Sequence, residues 1–162
     1  MMDLPKWKNL KVNYPAAEAS AVFKQIGGKV ELNYDIGVFS NACAIRVSRS
    51  LNKNDGSHNI PHIKDTSPNG KTESQVSSGK HKKWYIFRVK MLAKYLKSKY
   101  GVPEILRPAE YRKKLKNRKG IIIFEVPGWG DATGHADLWN GQRCLWQGYG
   151  GLATSILFWE AY

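Results

Sequence analysis

Two residue types in this chain can do covalent chemistry together. Cys43 stands at the head of the run Asn41-Ala42-Cys43-Ala44-Ile45-Arg46-Val47-Ser48-Arg49-Ser50-Leu51-Asn52, and His135 opens His135-Ala136-Asp137-Leu138-Trp139 far downstream. A thiolate paired with an imidazolium is a hydrolytic nucleophile, and a third polar group orients the ring. Asp137 is one choice for that group. Strand alternation puts it on the same face as His135, about 6–7 Å along by strand rise. Gln147 is the other choice, because a one-residue bulge after the next turn swings it opposite His135. A cysteine on its own reads as a small buried hydrophobe; the histidine is what makes it a candidate nucleophile.

Each partner needs an element to hold it. Ala42, Ile45, Val47 and Leu51 form an apolar stripe at helical spacing, with Arg46, Ser48, Arg49 and Asn52 expected to face water. Asn41 or Ser40 is the expected N-cap, which puts Cys43 in the first helical turn. The positive end of the helix favours a thiolate there. The Cys43 backbone N–H is the expected oxyanion donor. Downstream, Asn140-Gly141 is a strong hairpin signal, with residues 142–147 as the returning strand. A two-residue turn puts His135 opposite Trp146 and Asp137 opposite Cys144. A helix carrying Cys43 and laid on that face would bring thiol and imidazole together.

The rest of the chain supplies a scaffold. Trp7 and Leu10 suggest a short helix, and Pro15 can open another over residues 16–26, stopped by Gly27-Gly28. Residues 29–38 read as an irregular connection and residues 51–83 as a long polar loop. Trp84-Tyr85-Ile86-Phe87 has strand character. Val89, Leu92, Ala93, Leu96 and Tyr100 then mark a helix whose other face carries Lys90, Lys94, Lys97 and Lys99. Tyr111 and Leu115 suggest one more short helix. Ile121-Ile122-Ile123-Phe124 suits a buried strand, and residues 155–160 a last one. Helices first and an antiparallel sheet last make an α+β class.

The chain has 162 residues, enough for one domain over 1–162 with a real core. No window is apolar enough for a membrane span, and the N-terminus has no signal-peptide pattern. The expectation is a protein made in the cytoplasm. Two distant cysteines make neither a disulfide scaffold nor a zinc finger. His58 and His62 are interrupted by Pro61, so they make no helical metal pair. A zinc site of Cys43, His135, Asp137 and Cys144 is a weaker alternative, and no cofactor is expected. The net charge of +13 draws the chain to polyanions. No nucleic-acid motif accompanies it. A non-catalytic polyanion- or wall-binding module is therefore the second reading.

Several strings together resemble a known family. They are Asn41-Ala42-Cys43-Ala44-Ile45-Arg46, Trp84-Tyr85-Ile86-Phe87-Arg88-Val89, Gly120-Ile121-Ile122-Ile123-Phe124, Gly128-Trp129-Gly130-Asp131-Ala132-Thr133-Gly134-His135 and Leu138-Trp139-Asn140-Gly141. The chain is similar to the fourth family of type VI secretion amidase effectors, which are papain-like cysteine hydrolases related to NlpC-type cell-wall peptidases. The resemblance implies a papain-like fold, Cys43 as nucleophile and His135 as general base. It implies cleavage of the peptidoglycan stem between D-glutamate and meso-diaminopimelate. It further implies a type VI secretion component for delivery, action in the periplasm or wall of target cells, and an immunity protein in the producer. Asn41, Trp129, Asp131 and Trp146 are the expected cleft lining. One departure stands out. Members of the family carry an aspartate where this chain has Trp146, which leaves Asp137 or Gln147 to orient His135. The second cysteine that often follows the position of Cys144 is also missing.

Overall fold

The computed structural model describes residues 1–39, 41–67, 69–127, 134–148 and 151–162. Three helices come first: α1 (Trp7–Asn13), α2 (Ala19–Ile26) and α3 (Gly28–Asp35). The helix α4 (Cys43–Asn52) follows, then a 3₁₀ turn at Gly56–His58. Four short strands are next: β1 (Lys64–Thr66), β2 (Thr72–Ser74), β3 (Val76–Ser78) and β4 (Trp84–Ile86). The chain continues through α5 (Val89–Tyr100), β5 (Glu104–Leu106), α6 (Tyr111–Lys114), β6 (Gly120–Glu125), β7 (Gly134–Trp139) and β8 (Ser155–Glu160). The main sheet is antiparallel, in the order β5-β8-β6-β7.

Helix α4 is the hub, packed against α1, β4 and β7. Its neighbours surround it, which overturns the expected polar outer face. Arg46, Ser48 and Asn52 are buried along with Val47 and Leu51. Buried polar groups need partners, and these have them. Ser48 Oγ donates to the Ala44 carbonyl at 2.8 Å and accepts from Ile86 N–H at 3.0 Å. Asn52 Nδ2 donates to the Trp84 carbonyl at 2.7 Å, while its Oδ1 accepts from Ile60 N–H at 2.9 Å. Helix α4 is thereby bonded to β4 and the following loop as well as packed on them.

The sheet divides the core. Ile121, Ile123, Ala136, Leu138, Leu157 and Trp159 pack with Ala44, Val47 and Leu51 of α4 and with Leu92 and Leu96 of α5. Ile122, Phe124, Trp139, Ile156 and Phe158 pack with Leu106, Tyr111 and Leu115. A third cluster joins α2 and α3 to Phe39, Ile45 and Tyr85.

Other expectations need correction. Helix α2 starts at Ala19, three residues late, because Ala16 and Ala17 bond back to Tyr14 and Pro15 in a tight turn. Residues 29–38 are not irregular: α3 occupies most of them. Only Val30 of that helix is buried, so no apolar stripe announces it. The polar stretch 51–83 is not one loop but holds the antiparallel ladder β1–β2 and the strand β3, which pairs with β4 just beyond it. These strands are short, and their residues are mostly polar. Strand β5 carries no sequence signal, being three residues long with only Leu106 buried.

Candidate active site

Strand β7 places His135 and Asp137 on one side of the sheet, opposite Phe124 and Ile122 of β6. Gly134, just before His135, has φ +153, and a Cβ there would collide with the Phe124 carbonyl. Glycine is therefore what lets β7 approach β6 at the point where the histidine leaves the sheet.

Cys43 opens α4 at the opposite end of the site. The helix does not lie on the His135 face, as the hairpin argument expects. Its apolar residues pack on the other face, and α4 runs against β7, the edge strand of the sheet. The thiol reaches the imidazole at that edge, and the two side chains hydrogen-bond. His135 Nε2 is 2.9 Å from Asp137 Oδ2, which makes Nδ1 the ring nitrogen to serve the sulfur.

Asp137 is fully buried and accepts from several directions. Tyr14 Oη donates to Oδ1 at 2.9 Å and Leu138 N–H to Oδ1 at 2.8 Å. Trp146 N–H lies 3.3 Å from both oxygens, and Gln147 N–H donates to Oδ2 at 2.9 Å. Gln147 thus enters the site through its main chain, with its side chain exposed. Asp137, not Gln147, has its side chain on the ring.

The turn that brings Trp146 and Gln147 here differs from the expected one. Asn140 N–H bonds the Arg143 carbonyl at 3.0 Å, and Asn140 Oδ1 accepts from Gln142 N–H and Arg143 N–H, both at 2.9 Å. The asparagine side chain closes a four-residue turn. The register moves by two: Cys144 pairs with Trp139, not Asp137. A shift of two keeps every side chain on its own face, so the segment still approaches Asp137. Residues 142–147 make this single bridge rather than a returning strand.

The electrostatics follow from burial. Desolvation pulls the His135 pKa down, but the Asp137 hydrogen bond, the Cys43 hydrogen bond and the charges of both outweigh it and push it up to about 9. Burial, then the charge and hydrogen bond of Asp137, raise the Tyr14 phenol above its ordinary range, so Tyr14 stays a donor. Burial and the nearby Asp137 charge also raise the Cys144 thiol. Cys144 forms no disulfide and is a poor nucleophile.

Arg46 does not face water as its place in the sequence pattern predicts. Instead its Nη2 donates to the Ala17 carbonyl at 2.8 Å, and its guanidinium carbon lies 4.3 Å from the Trp146 ring centroid. Trp146 is thereby fixed beside Asp137. Asn41 is not the N-cap, which is Ala42. Its Oδ1 accepts from Cys43 N–H at 2.9 Å. The expected oxyanion donor is therefore engaged, and a substrate oxyanion must compete with the Asn41 carbonyl oxygen for it. Ser40, Trp129 and Asp131 lie outside the described residues. Among the described residues no group of three or more His, Cys, Asp or Glu is arranged to hold a metal. His58 instead pairs its Nδ1 with Tyr100 Oη at 2.9 Å.

Sequence reasoning missed Tyr14 and Arg46. No pattern marks Tyr14, which lies far from Asp137 in the chain, and Arg46 is hidden by the rule that puts arginines outside.

The family model for type VI secretion system amidase effector protein 4 matches residues 39–159. The chain belongs to this family. Its structure resembles the type VI effector Tae4 from Enterobacter cloacae, with 31% identity and a TM-score of 0.81 over 99% of this chain and 100% of that one. The Tae4-Tai4 effector-immunity complex from Enterobacter cloacae is similar at 33% identity and TM-score 0.75, covering 96% of this chain and 95% of that one. Tae4 from Salmonella typhimurium, solved with the immunity protein Tai4 from Enterobacter cloacae, matches at 28% identity and TM-score 0.78, covering 98% and 99%. No curated protein sequence matches. The family and the α+β architecture agree with the sequence: this is an amidase of papain-like, NlpC-type fold. Among the described residues no helix is long and apolar enough to cross a membrane.

Proposed function

We propose that this amidase effector hydrolyses the D-glutamyl–meso-diaminopimelate amide of peptidoglycan stem peptides, with Cys43 as nucleophile, His135 as acid and base and Asp137 as orienter. One observation carries the reading: His135 contacts the Cys43 thiol and the Asp137 carboxylate at once. In the ion pair, Sγ attacks the amide carbon, and the carbonyl π electrons move to oxygen. Collapse breaks the C–N bond, and the imidazolium proton goes to the departing diaminopimelate amine. Water then attacks the thioester, His135 takes its proton, and the carboxylate leaves while Sγ is restored. Asp137 holds the ring throughout and is not itself protonated.

The whole chain, 1–162, acts as one catalytic unit in this reading, because Tyr14 near one end reaches Asp137 near the other. Delivery is by type VI secretion, and the target lies in the periplasm or wall of the recipient. The solved relatives pair with an immunity protein, Tai4. A cognate acidic protein covering the cleft is the matching partner here, given the net charge of +13.

The test is digestion of diaminopimelate-type muropeptides followed by mass spectrometry. Fragments split between D-glutamate and diaminopimelate are expected from the wild type and not from Cys43→Ala. Undiminished cleavage by Cys43→Ala, or a different cut, overturns the proposal.

A further inference from the structure

We propose that Tyr14 is a positioning residue of this centre: its hydroxyl fixes the Asp137 carboxylate against His135. The proposal rests on the Cys43–His135 reading above and adds to it a group from outside the stretch that the family model matches, which begins at residue 39.

The need for such a group follows from the strand. A carboxylate two residues beyond its histidine starts about 6–7 Å away by strand rise, and aspartate has a short side chain. It must lean along β7 to put Oδ2 2.9 Å from Nε2. Holding the other oxygen is what maintains that lean. Oδ1 accepts from Tyr14 Oη at 2.9 Å, Leu138 N–H at 2.8 Å and, at 3.3 Å, Trp146 N–H. Besides His135, every donor but Tyr14 is main chain, so among the described residues Tyr14 is the one holding group that the sequence can alter.

The phenol is itself held. Tyr14 is buried in the same apolar cluster as Cys43 and caps the C-terminus of α1. That end of α1 is bonded to α4: Ser50 Oγ donates to the Leu10 carbonyl at 2.6 Å, and Arg49 Nη1 to the Asn13 carbonyl at 2.9 Å. Helix α4 therefore sets both the nucleophile and, through α1, the residue that steadies the orienter.

Removing only the hydroxyl frees the Oδ1 side of Asp137 to shift within its main-chain donors, and its charge is shared with one donor fewer. It then binds the imidazolium more tightly. The ring keeps its proton to higher pH and releases it to the leaving amine more slowly. Tyr14→Phe is expected to lower kcat about tenfold, the scale of one hydrogen bond to a charged group, with KM unchanged. The alkaline limb of kcat/KM moves up. In an Asp137→Asn background, Tyr14→Phe costs nothing further, because its effect passes through the carboxylate.

The rate of Cys43 alkylation by iodoacetamide against pH gives a readout that uses no peptidoglycan. Its alkaline inflection is expected to move up in Tyr14→Phe. Superimposable pH profiles, with or without a lower melting temperature, reduce Tyr14 to packing and overturn the proposal, as do additive losses in the double variant. If the wild type alkylates normally but cuts no muropeptide, the amidase reading fails, and the two alkylation profiles alone decide the role of Tyr14.

Discussion

Asp137 reaches His135 from the same strand, two residues along, with its Oδ2 2.9 Å from Nε2. The aspartate that the resemblance places at position 146 is a tryptophan here, and in the proposed mechanism the orienting carboxylate comes from β7 instead. Asp137→Ala is expected to lower kcat/KM by about 100-fold or more, by analogy with loss of the carboxylate in a Ser-His-Asp triad. Gln147→Ala should cost under about threefold, since its main-chain N–H survives and a hydrogen bond lost there would alone cost about tenfold. Steady-state kinetics on a purified muropeptide separates the two. A larger loss from Gln147→Ala would return the orienting role to the amide.

The pH dependence has a definite sign. The His135 pKa is raised from 6.5 to about 9 in the fold. A raised imidazole stabilises the native state fully below 6.5, and that contribution is lost as pH rises through about 9. The melting temperature should therefore fall as pH rises across this window, and kcat/KM should fall on its alkaline side. Cys43→Ala removes one cause of the raised pKa, so its melting temperature should depend less on pH here. A wild-type profile that is flat from 6.5 to above 9 would falsify the ion-pair assignment.

The legible parts of this protein are those where local pattern and packing agree. The 3.6-residue spacing of Val89, Leu92 and Leu96 marks α5, whose lysine face is exposed at Lys90, Lys94 and Lys97. The isoleucine run marks β6, which is buried on both faces. Helix α4 was half legible. Its apolar stripe shows in the sequence, but Arg46, Ser48 and Asn52 look like surface residues until their long-range partners are known. Cys43 and His135 were legible by residue type. The lean of Asp137 was not, because it depends on Tyr14 and on the main chain of residues 146–147. The hairpin register failed for a local reason: the Asn140 side chain replaces a main-chain acceptor and widens the turn.

Trp146 stacks on the buried Arg46, and the cleft-lining role expected from the sequence would make it act on binding more than on chemistry. Trp146→Ala is expected to raise KM several-fold, with a smaller change in kcat. It should also cost about 1 kcal/mol of stability from the lost cation–π contact. Trp146→Phe should recover much of both. Equal falls in kcat and kcat/KM, with KM unmoved, would place Trp146 in the transition state instead.

Gly134 permits the close pairing of β7 with β6 immediately before His135. Any side chain there meets the Phe124 carbonyl at a φ of +153. Gly134→Ala is expected to destabilise the fold by more than about 3 kcal/mol, in the range reserved for backbone strain and steric clash. Chemical denaturation measures it. A loss under about 1 kcal/mol, typical of an ordinary substitution, would show that the strand can part here at little cost.

The basic surface has a use if the substrate is an insoluble anionic wall, since positive charge raises the local concentration of the enzyme there. The turn between β3 and β4 is a good place to test this. Lys80 and Lys82 are exposed, while the turn is anchored by Lys80 N–H on the Ile26 carbonyl at 2.9 Å and by Lys83 Nζ on Asn59 Oδ1 at 3.1 Å. Replacing Lys80 and Lys82 with Gln removes charge and leaves both anchors. Co-sedimentation with purified sacculi should fall several-fold at low salt. At about 0.5 M salt, where the screening length is a few ångströms, it should match the wild type. Hydrolysis of a small soluble muropeptide should not change. An equal loss of binding at both salt concentrations would mean that the lysines act through contact geometry and not through their field.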